Sequence, residues 1–150
     1  MEPKIVLFIC TGNYYRSRFA ELLFNSNARR VQLGWRATSR GLALELGNNI
    51  GPISPHAFSR LRARGVALDY ANLRSPLPLA QDDLARADRV IALKRAEHLP
   101  LITQRFPQWV SRIEYWQVDD LDLAAPDEAL GTIEENVTTL IGRLSAEGDS

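Results

Sequence analysis

Ile5-Val6-Leu7-Phe8-Ile9-Cys10-Thr11-Gly12-Asn13-Tyr14-Tyr15-Arg16-Ser17 is the stretch on which the reading of this chain turns. It opens with a short, continuous apolar run, rich in β-branched side chains, as in a strand covered on both faces of a parallel sheet. Gly12 and Asn13 tolerate the unusual backbone angles of a tight loop. Ser17 reads as the N-cap of a helix whose apolar positions are Phe19, Ala20, Leu22, Leu23 and Phe24. A strand, a tight loop and a helix N-terminus in succession turn backbone N–H groups toward one point and make a cradle for an anion.

Cys10 is the only cysteine in the sequence. A helix N-terminus and a nearby cation favour the thiolate form of such a residue, and the same cradle stabilises a phosphate dianion. Arg16 supplies a planar fork of donors that matches two phosphate oxygens. In phosphoryl transfer, charge spreads over the equatorial oxygens, and fixed donors aimed at them supply most of the catalysis. The chemistry implied is attack of Cys10 on phosphorus, a thiophosphate intermediate, and release by water. The Ser17 hydroxyl is placed to donate to the thiolate and improve it as a leaving group. The competing reading makes Cys10 a small buried hydrophobe at a strand end; the strand before it, Gly-Asn within the loop and the helix beyond weigh for chemistry.

Outward from this stretch, strand-like runs recur at Trp35–Ser39, Arg89–Leu93 and Ile113–Val118, with helical stretches between them. The alternation predicts an α/β fold, a three-layer sandwich with a central four-stranded parallel sheet. Ser54 and Pro55 open a helix that Gly65 closes. Pro126, Asp127 and Glu128 open the last helix, whose Leu130, Ile133, Val137, Leu140, Ile141 and Leu144 form one apolar face. Leu68 to Leu79, with Pro76 and Pro78, reads as a loop or short irregular strand. Ligands of open α/β sheets bind beyond the carboxyl ends of the strands. Cys10, Ser39, Lys94 and the pair Asp119-Asp120 therefore fall along one sheet edge.

The length of 150 residues fits a single domain, 1–150, with a real core. Lys plus Arg and Asp plus Glu both number 18, so charge gives no pull toward nucleic acid or a membrane surface. No apolar stretch approaches the ~20 residues needed to span a bilayer. One thiol allows no intramolecular disulfide and fits the reducing cytoplasm. No Cys/His/Asp cluster has metal-ligand spacing, and the chemistry above needs neither metal nor organic cofactor. His56 and His98 read as surface or core-edge histidines, and Arg29-Arg30 and Arg60, Arg62, Arg64 as solvated helix faces. Trp109, Tyr115 and Trp116 read as core or edge aromatics.

The stretch from Val6 to Asn13, with Arg16-Ser17 and Ala20-Glu21, resembles the signature of the low-molecular-weight protein tyrosine phosphatase family, which also includes the thioredoxin-linked arsenate reductases. The resemblance continues through Thr38-Ser39-Arg40-Gly41, Gly47, the helix ending near Gly65 and Ala87-Asp88-Arg89-Val90-Ile91. It ends at Trp116-Gln117-Val118-Asp119-Asp120 and the final helix, so it covers essentially the whole chain. It implies Cys10 as nucleophile and Arg16 as phosphate-binding arginine, in a loop of Thr11, Gly12, Asn13, Tyr14 and Tyr15. Asn13 and Ser39 resemble the pair that braces the loop, and Ser17 the hydroxyl that tunes the thiolate. Asp120 falls where the family places its general acid, a carboxylate that later serves as base.

The family acid normally precedes proline; here Leu121 follows, and Asp119 is the alternative. Asp119 and Asp122 otherwise read as an acidic, solvated loop capping the next helix. Tyr15 stands where the family often has a second cysteine, Arg18 where it has a proline, and Lys94 where an aspartate is common. Leu42 to Leu46 offers no aromatic pocket wall. One of Tyr14 and Tyr15 must turn outward, and Tyr14 either lines the substrate mouth or packs. The substrate expected is a phosphorylated protein, phosphotyrosine first, with phosphoarginine or a small phosphomonoester open. The alternatives are an arsenate reductase of the same fold, which needs further cysteines for its relay, and a non-catalytic phosphate-recognition module.

Overall fold

Residues 2–47 and 49–148 are described by the computed structural model. In chain order they form β1 (Lys4–Cys10), α1 (Arg16–Arg30), β2 (Trp35–Gly41), α2 (Pro55–Ala63), α3 (Gln81–Arg86), β3 (Arg89–Ala92), α4 (Arg95–Arg105), β4 (Ile113–Tyr115) and α5 (Pro126–Gly148). The strands make one parallel sheet in the order β2-β1-β3-β4. Of its two inner strands, β1 and β3, the first is the apolar run of the opening stretch.

Alternation along β1 divides the core in two. Val6, Phe8 and Cys10 face a layer built by Phe19, Leu23 and Phe24 of α1, Leu61 of α2, and Ile133, Val137 and Leu144 of α5. Leu7 and Ile9 face the opposite layer, with Leu84 of α3 and Ile102 of α4. Two helical layers on a parallel sheet confirm the three-layer sandwich. All six apolar positions expected on α5 are buried. Ser54 caps α2 by accepting from His56 N, Pro55 is its first helical residue, and Gly65 turns the chain out at φ 80°.

The register runs from Lys4 opposite Trp35 to Cys10 opposite Gly41. β2 thus extends two residues past Ser39, and its last residue lies against the loop that follows β1. A Cβ at Gly41 would sit 2.8 Å from Thr11 O and 2.6 Å from Leu44 Cδ2, so only glycine lets the two segments approach. β4 is shorter than its apolar pattern suggests and ends at Tyr115. Trp116 N and Val118 N still bond Ala92 O and Leu93 O, but Gln117 pairs antiparallel with Lys94 as the chain swings across the sheet edge. β3 likewise ends at Ala92, one residue early. Residues 68–79 are irregular apart from one short 3-10 turn at Tyr70–Asn72 and an isolated parallel bridge from Pro78 to Gly41. Among the described residues no helix is long and apolar enough to cross a membrane.

Phe24 is fully buried and meets Phe8 edge-on, with ring centroids 6.2 Å apart. Phe24→Ala is expected to destabilise the fold by about 3–5 kcal/mol, read as a lower urea midpoint with an unchanged m-value.

Candidate active site

Between β1 and α1 the backbone runs through Thr11, Gly12, Asn13, Tyr14 and Tyr15 with its carbonyls tied outward. Cys10 O and Thr11 O accept from Leu42 N and Ala43 N beyond β2, and Tyr14 O accepts from Ser54 N ahead of α2. Among the described residues, the N–H groups from Thr11 to Arg16 donate to no protein acceptor. Asn13 adopts φ 50°, the left-handed conformation that asparagine tolerates. These N–H groups lie at the N-terminus of α1.

The N-cap of α1 is Tyr15, without a side-chain cap, and not Ser17. Ser17 sits inside the first turn, and its hydroxyl meets the Cys10 thiol instead, with Oγ 2.9 Å from Sγ. Asn13 Nδ2 donates to Ser17 Oγ and to Ser39 Oγ, each at 2.9 Å. Ser39 Oγ in turn donates to Glu21 Oε1. Ser17 Oγ thus accepts from Asn13 and is hydrogen-bonded to the Cys10 sulfur. Asn13, Ser17 and Ser39 are fully buried, and Cys10 is 3% exposed.

Two further residues, Arg74 and Glu21, complete the brace, and sequence reasoning assigned no role there to either. Arg74 Nη1 donates to Asn13 Oδ1 at 3.0 Å, and its Nη2 reaches Ser39 O at 2.8 Å and Glu21 Oε1 at 3.2 Å. Burial and the nearby Arg18 pull the Arg74 guanidinium down to about 10 against the pull of Glu21, which leaves it charged at neutral pH. Glu21 also pairs with the buried Arg18 at 3.1 Å. Arg74 lies in a proline-bearing irregular loop, and nothing in its local sequence announces the contact.

Arg16 is buried and points at the same edge. Its Nη1 and Nη2 meet Glu97 Oε1 and Oε2 at 3.1 and 2.6 Å, and Nη1 donates to Val118 O at 2.9 Å. Thr11 Oγ1 donates to Glu97 Oε2 at 2.5 Å. Burial acts to raise Glu97, yet the contacts with His98, Arg16 and Thr11 overcome it and hold its carboxyl well below the usual range. Glu97 occupies the first turn of α4, just past β3, so the sheet-edge rule was the one signal that could have found it.

His98 is a correction: it is fully buried, accepts Lys94 N at its Nδ1 (3.0 Å), and brings Nε2 within 3.1 Å of Glu97 Oε2 without an aligned bond. Burial lowers its affinity for a proton. His56 is exposed, as expected. Arg60 and Arg64 are not merely solvated: both grip Glu134 of α5, at 2.9 and 2.8 Å, and hold that carboxyl down to about 2.

A pocket of about 230 Å³ lies over the loop, lined by Cys10, Thr11, Gly12, Tyr14, Tyr15, Arg16, Leu46, Gly47, Asn49, Asp120, Leu121 and Asp122. Tyr14 is the outward aromatic and donates its hydroxyl to Ile50 O at 2.7 Å. Tyr15 turns inward. Its buried hydroxyl has no partner among the described residues, and burial with the nearby Asp120 pushes it up to about 12. Asp120 Oδ2 lies 3.5 Å from Arg16 Nη2. Asp119 does not cap a helix; it pairs with Lys94 Nζ at 2.5 Å. Among the described residues, no group of three or more His, Cys, Asp or Glu side chains converges as a metal site.

Glu97→Gln leaves part of the buried Arg16 fork unmatched. It is expected to lower stability by about 1–3 kcal/mol in thermal unfolding and to weaken calorimetric binding of inorganic phosphate about tenfold. Glu97 remains ionised in the folded chain below about pH 4.3, where an unfolded glutamate takes up its proton. The unfolded state then binds more protons, so stability falls as pH drops through this range, and Glu97→Gln is expected to flatten that fall.

Residues 5–148 match the family described as low molecular weight phosphotyrosine protein phosphatase. A protein-arginine-phosphatase of Bacillus subtilis (strain 168) is 31% identical over 108 residues, 72% of this chain and 67% of that protein. An arsenate reductase of the same organism is 32% identical over 139 residues, 90% of this chain and 83% of the reductase. The low molecular weight protein tyrosine phosphatase from T. tengcongensis superposes with a TM-score of 0.75 at 26% identity, over 96% of this chain and 99% of that one. YfkJ from Bacillus subtilis shares the fold, with a TM-score of 0.80 at 23% identity over 97% and 96% of the two chains. The likeness spans the loop, its brace and the sheet beneath them, and this chain is a phosphatase belonging to the low molecular weight phosphotyrosine protein phosphatase family.

Proposed function

We propose that the chain, acting as one domain over residues 1–150, hydrolyses phosphotyrosine on proteins through a thiophosphate on Cys10. The observation that carries this reading is that, among the described residues, the N–H groups from Thr11 to Arg16, which follow the buried Cys10 thiol, have no protein acceptor. Arg16 has five N–H donors. Glu97 takes two and Val118 O a third, which leaves Nε–H and one Nη2–H side by side for two phosphate oxygens.

The thiolate of Cys10 attacks phosphorus as the ester P–O bond breaks. Asp120 gives its proton to the departing oxygen. The resulting carboxylate then takes a proton from water, which attacks phosphorus and expels the Cys10 thiolate, stabilised by the Ser17 hydroxyl. Neither metal nor organic cofactor enters these steps. Asp120 is favoured over Asp119 because it lines the pocket beside Arg16, whereas Asp119 is engaged by Lys94.

The aromatic substrate is favoured by Tyr14, Leu46 and Leu121, which give the pocket apolar walls for a phenyl ring. Leu46 and Leu121 are 67% and 45% exposed and extend that surface outward, toward a polypeptide carrying the phosphate. Phosphoarginine is the second reading, favoured by two carboxylates in the lining, Asp120 and Asp122, that would attract a guanidinium. The arsenate relay of the related reductases would need thiols beyond Cys10, the only cysteine of the sequence. A free thiol persists in a reducing compartment, so we assign the enzyme to the cytoplasm, with phosphorylated protein as its partner and not nucleic acid.

Hydrolysis of p-nitrophenyl phosphate is expected to vanish in Cys10→Ser and to fall about 10²- to 10³-fold in Asp120→Ala. Full activity of the serine variant would remove the mechanism. A matched pair of peptides, one with phosphotyrosine and one with phosphoarginine, assigns the substrate: the higher kcat/KM is expected for phosphotyrosine, and the reverse order selects phosphoarginine.

A further inference from the structure

Asp120 stands on a poorly tethered segment. Backbone pairing to the sheet ends with Val118 N on Leu93 O, and the next backbone bonds are those from Leu123 N and Ala124 N back to Asp120 O. Leu121 and Leu123 are exposed, at 45% and 67%. Asp120 Oδ1 accepts from Leu121 N, a bond within the segment itself. Arg16 lies 3.5 Å from Asp120 Oδ2, too far for a strong hydrogen bond to fix the carboxylate.

One residue earlier the situation is different. Asp119 Oδ1 meets Lys94 Nζ at 2.5 Å, and the Lys94 side chain is 16% exposed. Lys94 stands on a firm base: its N–H donates to His98 Nδ1, its carbonyl accepts from His98 N, and His98 is fully buried. Gln117 bridges to Lys94 as well. Asp119 thus reaches Lys94 while its chain neighbour Asp120 lies beside Arg16 and lines the pocket, so fixing the first limits where the second can point.

We propose that Lys94 is a positioning residue for proton transfer: by pairing with Asp119 at the end of β3 it aims the Asp120 carboxylate over the phosphate loop. This rests on the reading of Asp120 as the acid. Lys94 touches neither the phosphate nor the leaving group and acts only through Asp119.

The test compares kcat/KM, which reports steps through thiophosphate formation, for two esters. Phenyl phosphate has a leaving group that needs a proton; 2,4-dinitrophenyl phosphate has one that departs without it. Lys94→Met and, from the more exposed side of the pair, Asp119→Asn are each expected to lose about tenfold on phenyl phosphate and less than about twofold on the dinitrophenyl ester. The double variant should lose no more than either single one, and Lys94→Arg should recover most of the phenyl phosphate activity. Equal losses on both esters, or no loss on either, in both single variants would overturn the proposal. Asp120→Ala is run beside them. If it loses selectively on phenyl phosphate while the Lys94 and Asp119 variants do not, the positioning role fails and the acid stands. If Asp120→Ala itself loses equally on both esters, the acid assignment falls and the role of Lys94 falls with it.

Discussion

Among the described residues the backbone N–H groups from Thr11 to Arg16 have no protein acceptor, and the polar contacts around the loop engage its other groups. Unpaired buried donors are costly, so such a loop persists only where its surroundings leave it no other conformation. The carbonyls are therefore tied outward to Leu42, Ala43 and Ser54, and Asn13 is held at positive φ. The chain from Glu21 through Ser39, Asn13 and Ser17 to Cys10 is a continuous hydrogen-bonded brace in which Asn13 donates both ways. At one end the Glu21 carboxylate, paired with Arg18 and Arg74, accepts the Ser39 proton, and at the other the Ser17 hydroxyl meets the sulfur.

Arg16 faces the same constraint with the opposite sign. A buried guanidinium needs a compensating anion, because removing charge from water costs more than a poorly formed ion pair returns. Glu97 meets it end-on and Val118 O takes a further proton, which leaves Nε–H and one Nη2–H outside these bonds. His98 packs fully buried behind Glu97 and ties down the start of α4. Lys94, Glu97 and His98 thus form one short segment that serves Asp119, Arg16 and the helix start in turn. Preorganisation of this kind spares the site reorganisation during reaction.

Much of the fold was legible because its signals are local. Five apolar residues before Cys10, the cap at Ser54-Pro55 and the periodic face of α5 each arise from near neighbours in sequence, and all appear in the structure. Local signals mislead where a residue satisfies a distant or competing partner. Ser17 has the composition of a helix cap, but sulfur and Asn13 claim its hydroxyl. His98 has the sequence setting of a surface or core-edge residue and is buried beside Glu97. Arg60 and Arg64 read as solvated and bind Glu134, 74 and 70 residues along the chain. β4 stops early because Gln117 turns to pair antiparallel with Lys94, although Trp116 N and Val118 N still bond Ala92 O and Leu93 O.

By itself the sequence determined the tight loop between β1 and α1, the single thiol at its start and the parallel sheet that carries it. Each rests on residue types whose backbone or chemical behaviour is intrinsic: β-branched runs, Gly-Asn, a lone thiol, an arginine. Only the tertiary structure decided what holds these parts in place. Glu97 for Arg16, Arg74 for Asn13, and Lys94 for Asp119 are ion pairs and hydrogen bonds between elements far apart in the chain. Such pairs leave no periodicity and no fixed spacing. They exist because folding brings charges into low-dielectric surroundings, where each one must find a partner.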